Sequence, residues 1–87
     1  MELKEGMLAI SKAGHDKDCW YVVLKMDGEN AFLVNGENRS MDRPKKKKLK
    51  HLQGINKVPE NLQEKLVKGI SWTDVEIKRA IKLAKQD

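Results

Sequence analysis

The sequence predicts a mainly β fold with α: a small barrel of four to five short strands, followed by a C-terminal helical hairpin. Three observations carry this. Short apolar runs in the first two-thirds are separated by turns rich in glycine, asparagine and aspartate. From Pro59 onward the apolar residues recur at helical spacing instead. With 87 residues, the chain holds one small domain, better suited to a compact barrel with a helical appendage than to a deep catalytic cleft.

The strand region runs from residue 6 to about 53. "GMLAI" (Gly6 to Ile10) gives a first strand, and "SKAGHDKD" after it is rich in turn formers. "CWYVVLKM" (Cys19 to Met26) clusters aromatic and β-branched residues, which suit a pleated surface. "DGEN" (Asp27 to Asn30) then reads as a hairpin turn, "AFLV" (Ala31 to Val34) as a strand and "NGEN" (Asn35 to Asn38) as a second turn. Asp-Gly and Asn-Gly suit type I′ turns, whose central residues need positive φ. "RSMD" supplies a further arm leading through Pro44 into a run of lysines. In the second strand, alternation places Trp20, Val22, Leu24 and Met26 on the expected core face. Tyr21 and Val23 then form an outward apolar spot beside Lys25.

"PENLQEKLVKG" starts with proline at a first helical position, spaces Leu62 and Leu66 by four, and stops at Gly69. In "SWTDVEIKRAIKLAKQD", Thr73 is the N-cap, Glu76 its capping-box partner, and Trp72 with Ile77 a hydrophobic staple. Ile77, Ala80, Ile81 and Ala84 share one face, which needs an apolar surface; the outward side of the barrel offers one. The expected division is 1–57 for the barrel and its basic segment and 58–87 for the helical extension packed on it.

Charge is concentrated in one place. The formal net charge is +5, with 18 Lys plus Arg against 13 Asp plus Glu. Between Arg43 and His51, "RPKKKKLKH" holds Arg43, Lys45, Lys46, Lys47, Lys48 and Lys50 and no acid, a local charge of +6. The rest of the chain is therefore close to neutral, which is the footprint of a site for phosphate or an acidic partner. A solvated charge run is the bland alternative. Against it, Leu49 and Leu52 follow directly and need burial. If the tract is extended, Lys46, Lys48 and Lys50 share a face at about 6.6 Å intervals, near the phosphate spacing of an RNA strand. The three-residue spacing of Leu49 and Leu52 suits a helical turn, so both conformations stand.

Catalysis and metal binding lack their residue sets. Cys19 with His15 nearby has no orienting third group and no oxyanion site. Cys19, His15 and His51 are too few for a structural zinc site, and no phosphate-cradling glycine motif occurs. No cofactor is expected, and Asp16, Asp18 and Asp42 read as turn organisers. One cysteine permits no internal disulfide, and "MELKEGMLAI" reads as neither a secretory signal nor a membrane span, so a cytoplasmic location is expected. Trp20 and Phe32 read as core and Trp72 as a staple, leaving Tyr21 as the one aromatic available to a base. The expected mode is phosphate and shape recognition of structured RNA.

The stretch "GMLAISKAGHDKDCWYVVLKMDGENAFLVNG" (Gly6 to Gly36) resembles the KOW motif: an apolar strand, a turn of the form Gly-x-Asp-Lys, and a second apolar strand. With the basic segment, residues 1 to about 57 are similar to short bacterial KOW-domain RNA-binding proteins, themselves similar to an archaeal and eukaryotic large-subunit ribosomal protein. The resemblance implies an SH3-like barrel, no catalysis and ribosomal RNA as partner, with ribosomal proteins as further neighbours and a monomer off the ribosome. It implies that Lys12, Ala13, Gly14, His15, Asp16 and Lys17 form an RNA-approaching loop in which Gly14 makes the tight turn. The family's glycine after Asp-Lys is Asp18 here, a residue that tolerates positive φ. The expected RNA-binding set is Lys12, His15, Lys17, Arg39, Arg43, Lys45, Lys46, Lys47, Lys48 and Lys50. The rival expectation is a protein-interaction module, as KOW barrels of NusG-type elongation factors can be. It gains weight if Trp72, Ile77 and Ile81 are left exposed.

Overall fold

A computed structural model of the protein describes residues 2–86. Five strands, β1 (Leu8–Ser11), β2 (Trp20–Asp27), β3 (Asn30–Val34), β4 (Lys45–Lys48) and β5 (Leu52–Ile55), are followed by α1 (Glu60–Lys68) and α2 (Asp74–Lys85). The sheet is wholly antiparallel in the order β4-β3-β2-β1-β5. Helix contributes nearly as many residues as strand, so the molecule is mixed α/β rather than mainly β.

The sheet is open, because its edges β4 and β5 are not hydrogen-bonded to each other. It must nevertheless curl. Five flat strands would set their edges about 19 Å apart, whereas a short 3₁₀ turn, Leu49–His51, is all that joins β4 to β5. Four residue steps span at most about 14 Å. Two backbone bonds pin that turn, Lys12 N–H to the His51 carbonyl at 2.7 Å and Leu49 N–H to the Glu29 carbonyl at 2.8 Å.

Both faces of the sheet are buried, and this corrects the expected strand phase. Tyr21 and Val23 do not face outward. They pack with Ala9, Ala31 and Leu33 on the concave side, capped by Leu49 and Leu52. Trp20, Val22 and Leu24 lie on the other side, where Leu8, Val22 and Val34 meet Leu62, Trp72, Ile77 and Ala80 of the helical hairpin. Alternation separated Trp20, Val22 and Leu24 from Tyr21 and Val23, but with apolar residues on both sides it could not say which faced the interior, and it assigned Met26 and Lys25 to the wrong sides. A bulge between Val23 and Lys25 shifts the register, so Met26 joins the concave cluster rather than Trp20 and Val22. The two large side chains Ile77 and Leu62 are both fully buried, each stabilising by roughly 1.5–3 kcal/mol.

Turn chemistry mostly follows the sequence. Asp27 pairs with Asn30 across a two-residue turn, but only Gly28 has positive φ (59°), which is the II′ pattern rather than I′. The segment 39–42 forms no strand. Asn35 Oδ1 instead accepts from the N–H groups of Glu37 (2.9 Å) and Arg39 (3.0 Å), folding the chain back locally. Gly36 (φ 79°) sits against the first turn of α2, where a Cβ would lie 2.9 Å from Lys78 N. Gly69 closes α1 in the left-handed conformation, and Thr73 and Glu76 form the expected reciprocal capping box on α2. Pro59 caps α1 one position ahead of its first turn. No helix among the described residues is long and apolar enough to cross a membrane.

Candidate nucleic-acid interface

The lysine run begins as a strand because alternate residues have different partners. β4 pairs with β3 through Leu33↔Lys45, Phe32↔Lys46, Ala31↔Lys47 and Asn30↔Lys48. Leu33 and Ala31 face the concave cluster, so Lys45 and Lys47 emerge on that side and Lys46 and Lys48 on the other. The expectation of a shared face for Lys46 and Lys48 therefore holds. It does not extend to Lys50, which falls in the 3₁₀ turn. Both conformations seen in the spacing occur, one after the other.

On the concave side the centre is Asp16. Its carboxylate accepts from Ser11 Oγ (2.9 Å), Tyr21 Oη (2.8 Å) and Lys47 Nζ (2.8 Å), and Lys45 Nζ lies 3.1 Å from Oδ2. Lys47 also donates to the Ala13 carbonyl at 2.9 Å. The side chains of Asp16 and Lys47 are only 10% and 12% exposed, so this pair is shielded from water. Burial alone would raise the Asp16 carboxyl, but the donors from Lys47, Tyr21, Ser11 and Lys45 outweigh it and hold the group well below the usual carboxylate range. The Tyr21 hydroxyl is pushed above its ordinary value by burial first and by its bond to Asp16 second. Tyr21, read from sequence as the free aromatic, is thus 3% exposed and committed to this network.

This network ties the loop between β1 and β2 to the basic strand. The loop is closed by Ser11 N–H to Cys19 O (3.0 Å), Asp18 N–H to Ser11 O (2.8 Å) and Cys19 N–H to Asp16 O (2.9 Å). Gly14 (φ 86°) makes the expected turn, and Asp18 adopts φ 72°, so aspartate does occupy a left-handed position there. Lys12, His15 and Lys17 are exposed on this loop. Lys12 adjoins the 3₁₀ turn that carries Lys50 and His51. Arg43 is exposed ahead of β4; Arg39 is half-buried in the loop after β3.

The outer face presents a second arrangement. Phe32 lies opposite Lys25 on β2 and Lys46 on β4. The two ammonium groups stand 4.9 and 5.9 Å from its ring centroid. Phe32 is therefore not core: of the four aromatic residues, it alone joins neither apolar cluster. Lys46 also approaches Asp27 at 3.8 Å, an exposed contact of little energetic weight.

The structure thus brings Lys45 and Lys47 against the loop that carries Lys12, His15 and Lys17, and sets Lys12 beside the turn that carries Lys50. Lys46 and Lys48 face the opposite side, with Arg39 and Arg43 on the approach to β4. Lys25, opposite Phe32, lay outside the expected set, and Asp16 was expected to organise a turn rather than to join Lys45 and Lys47. The signal for Lys25 was its exposed parity beside Phe32 once the bulge is allowed for; Asp16 and Lys47 are too far apart in the chain for any local pattern to join them. No protein-family model matches this chain, and no curated protein matches it.

Proposed function

We propose that the protein is a non-enzymatic, cytoplasmic RNA-binding protein of the short KOW type, associated with the ribosome through ribosomal RNA. The observation that carries this reading is the distribution of cations around Asp16. A near-neutral chain body holds a β-strand of four lysines, and the largely shielded carboxylate of Asp16 anchors Lys45 and Lys47 so that the exposed Lys46 and Lys48 are held in register. Phosphate recognition requires cations on a rigid element, and affinity then comes chiefly from counterion release. Lys46, Lys48, Lys50, Arg43, Lys12, Lys17 and His15 would make the phosphate contacts, while Lys45 and Lys47 mainly position the strand. Arg39 would add to the rim.

An SH3-like barrel is supported by the strand order, by the 3₁₀ turn joining the two edges, and by the left-handed residues at Gly14 and Asp18. The protein-interaction rival has lost its particular support, since Trp72 and Ile77 are buried and Ile81 packs against the same cluster. The test is sedimentation of native lysate through a sucrose gradient at low and high salt, with and without ribonuclease. Salt-sensitive co-migration with the large ribosomal subunit, abolished by ribonuclease, is expected. Slow sedimentation under every condition would refute the ribosomal assignment.

A further inference from the structure

The helical hairpin covers one part of the outer sheet face, where Leu8, Val22 and Val34 lie. Beyond the bulge at Val23/Lys25, the same face carries Lys25, Asp27, Asn30, Phe32, Lys46 and Lys48. We infer that Phe32, flanked by Lys25 and Lys46, is a stacking site for an unpaired nucleobase, and that Lys25, Lys46 and Lys48 hold the phosphates beside it. The inference rests on the RNA-binding reading above and adds to it a preference for RNA that contains single-stranded bases.

Three observations point to a base rather than an apolar protein side chain. The ring's cross-strand neighbours are cationic or polar, and the apolar residue beside it on its own strand and face, Val34, is already buried in the cluster under the hairpin, which leaves little free apolar rim for a protein contact. Its cross-strand partners on both sides are lysines, which gives the patch three cations against the one carboxylate of Asp27. The ammonium groups already lie over the ring at cation–π distances, a contact typical of such mixed surfaces. A base seated on the ring takes the place of one ammonium and leaves it free for the adjoining phosphate. Stacking needs only a π-face and a nearby positive backbone track, and tolerates any base.

The experiment measures fluorescence anisotropy of a labelled hairpin RNA with an unpaired loop and of a blunt RNA duplex with the same number of phosphates. Wild type is expected to prefer the hairpin. Phe32→Leu should weaken hairpin binding about tenfold, leaving duplex binding and the salt slope unchanged, and Phe32→Tyr should retain wild-type affinity. Should Phe32→Leu fold poorly, photocrosslinking of wild type to a hairpin with 5-iodouridine in its loop supplies the answer, with the crosslink expected on the peptide containing Phe32. Equal binding of both RNAs by wild type, with Phe32→Leu unchanged, or crosslinks confined to other peptides, would overturn the stacking site while leaving phosphate binding intact. If wild type binds neither RNA at low salt, the underlying RNA-binding reading falls as well.

Discussion

Replacing Asp16 by asparagine removes one charge and keeps the shape, which makes it the sharpest probe of the network. The substitution leaves Lys47, 12% exposed, facing an amide instead of a carboxylate, and takes an ion partner from Lys45. Breaking a buried pair by removing one partner costs about 3–5 kcal/mol. Lys45 is 27% exposed and can turn to solvent, so a loss of about 2–4 kcal/mol is expected here. For a domain of this size that corresponds to a fall in Tm of roughly 10–25 °C. The pH dependence supplies a second check. The Asp16 carboxyl is held below its unfolded value, so its contribution is fully present above the unfolded pKa, about 3.9. It is lost as pH falls from there through the folded value, because the unfolded chain takes up the proton first. The gap in stability between wild type and Asp16→Asn should therefore be constant near neutrality and shrink below about pH 4. Circular dichroism melts from pH 7 to pH 2 measure both. A variant that melts within about 2 °C of wild type, or a gap that stays constant across the acid range, would refute the argument.

Other outcomes follow from the same geometry. Asp16→Asn releases Lys45 and Lys47, so in the temperature range where it stays folded its RNA-binding salt slope should steepen by about 1–2, measured by anisotropy titration. Gly36→Ala should destabilise by about 1–3 kcal/mol, seen as a lower urea midpoint, because a Cβ there is both strained and pressed onto the first turn of α2. Thr73→Ala should cost about 1 kcal/mol in the same assay through loss of the N-cap. Ile77→Ala, at a fully buried site between α2 and the sheet, should cost about 2–5 kcal/mol.

What was legible in the sequence was whatever depends on neighbours a few residues apart. Thr73 and Glu76 announce a capping box, Gly69 a helix stop and Gly14 a tight turn, because each is a local hydrogen-bond or steric requirement. The strand phase of β2 was not legible. Val22 and Val23 are both fully buried, on opposite faces of the sheet, and alternation carries no information about inside and outside when neither face meets water. The bulge compounds this, since one extra residue reverses the parity of everything after it. Phe32 read as core from its sequence, and its neighbours Ala31 and Leu33 are indeed buried, but its parity sets it opposite Lys25 and Lys46 instead. The basic tract announced its charge but not its division, which depends on Asp16 reaching Lys47 across the fold.

The central claim is that the exposed lysines of β4 and the 3₁₀ turn grip RNA phosphates. The direct test is the salt dependence of RNA affinity for wild type and for the triple variant Lys46→Glu, Lys48→Glu, Lys50→Glu, all three being exposed and outside the Asp16 network. Each lost contact should remove about 0.7–0.9 from the slope of log K against log salt, a total of roughly 2–3, with weaker binding across sequences and an unchanged melting profile. A folded variant whose slope matches wild type would contradict the account.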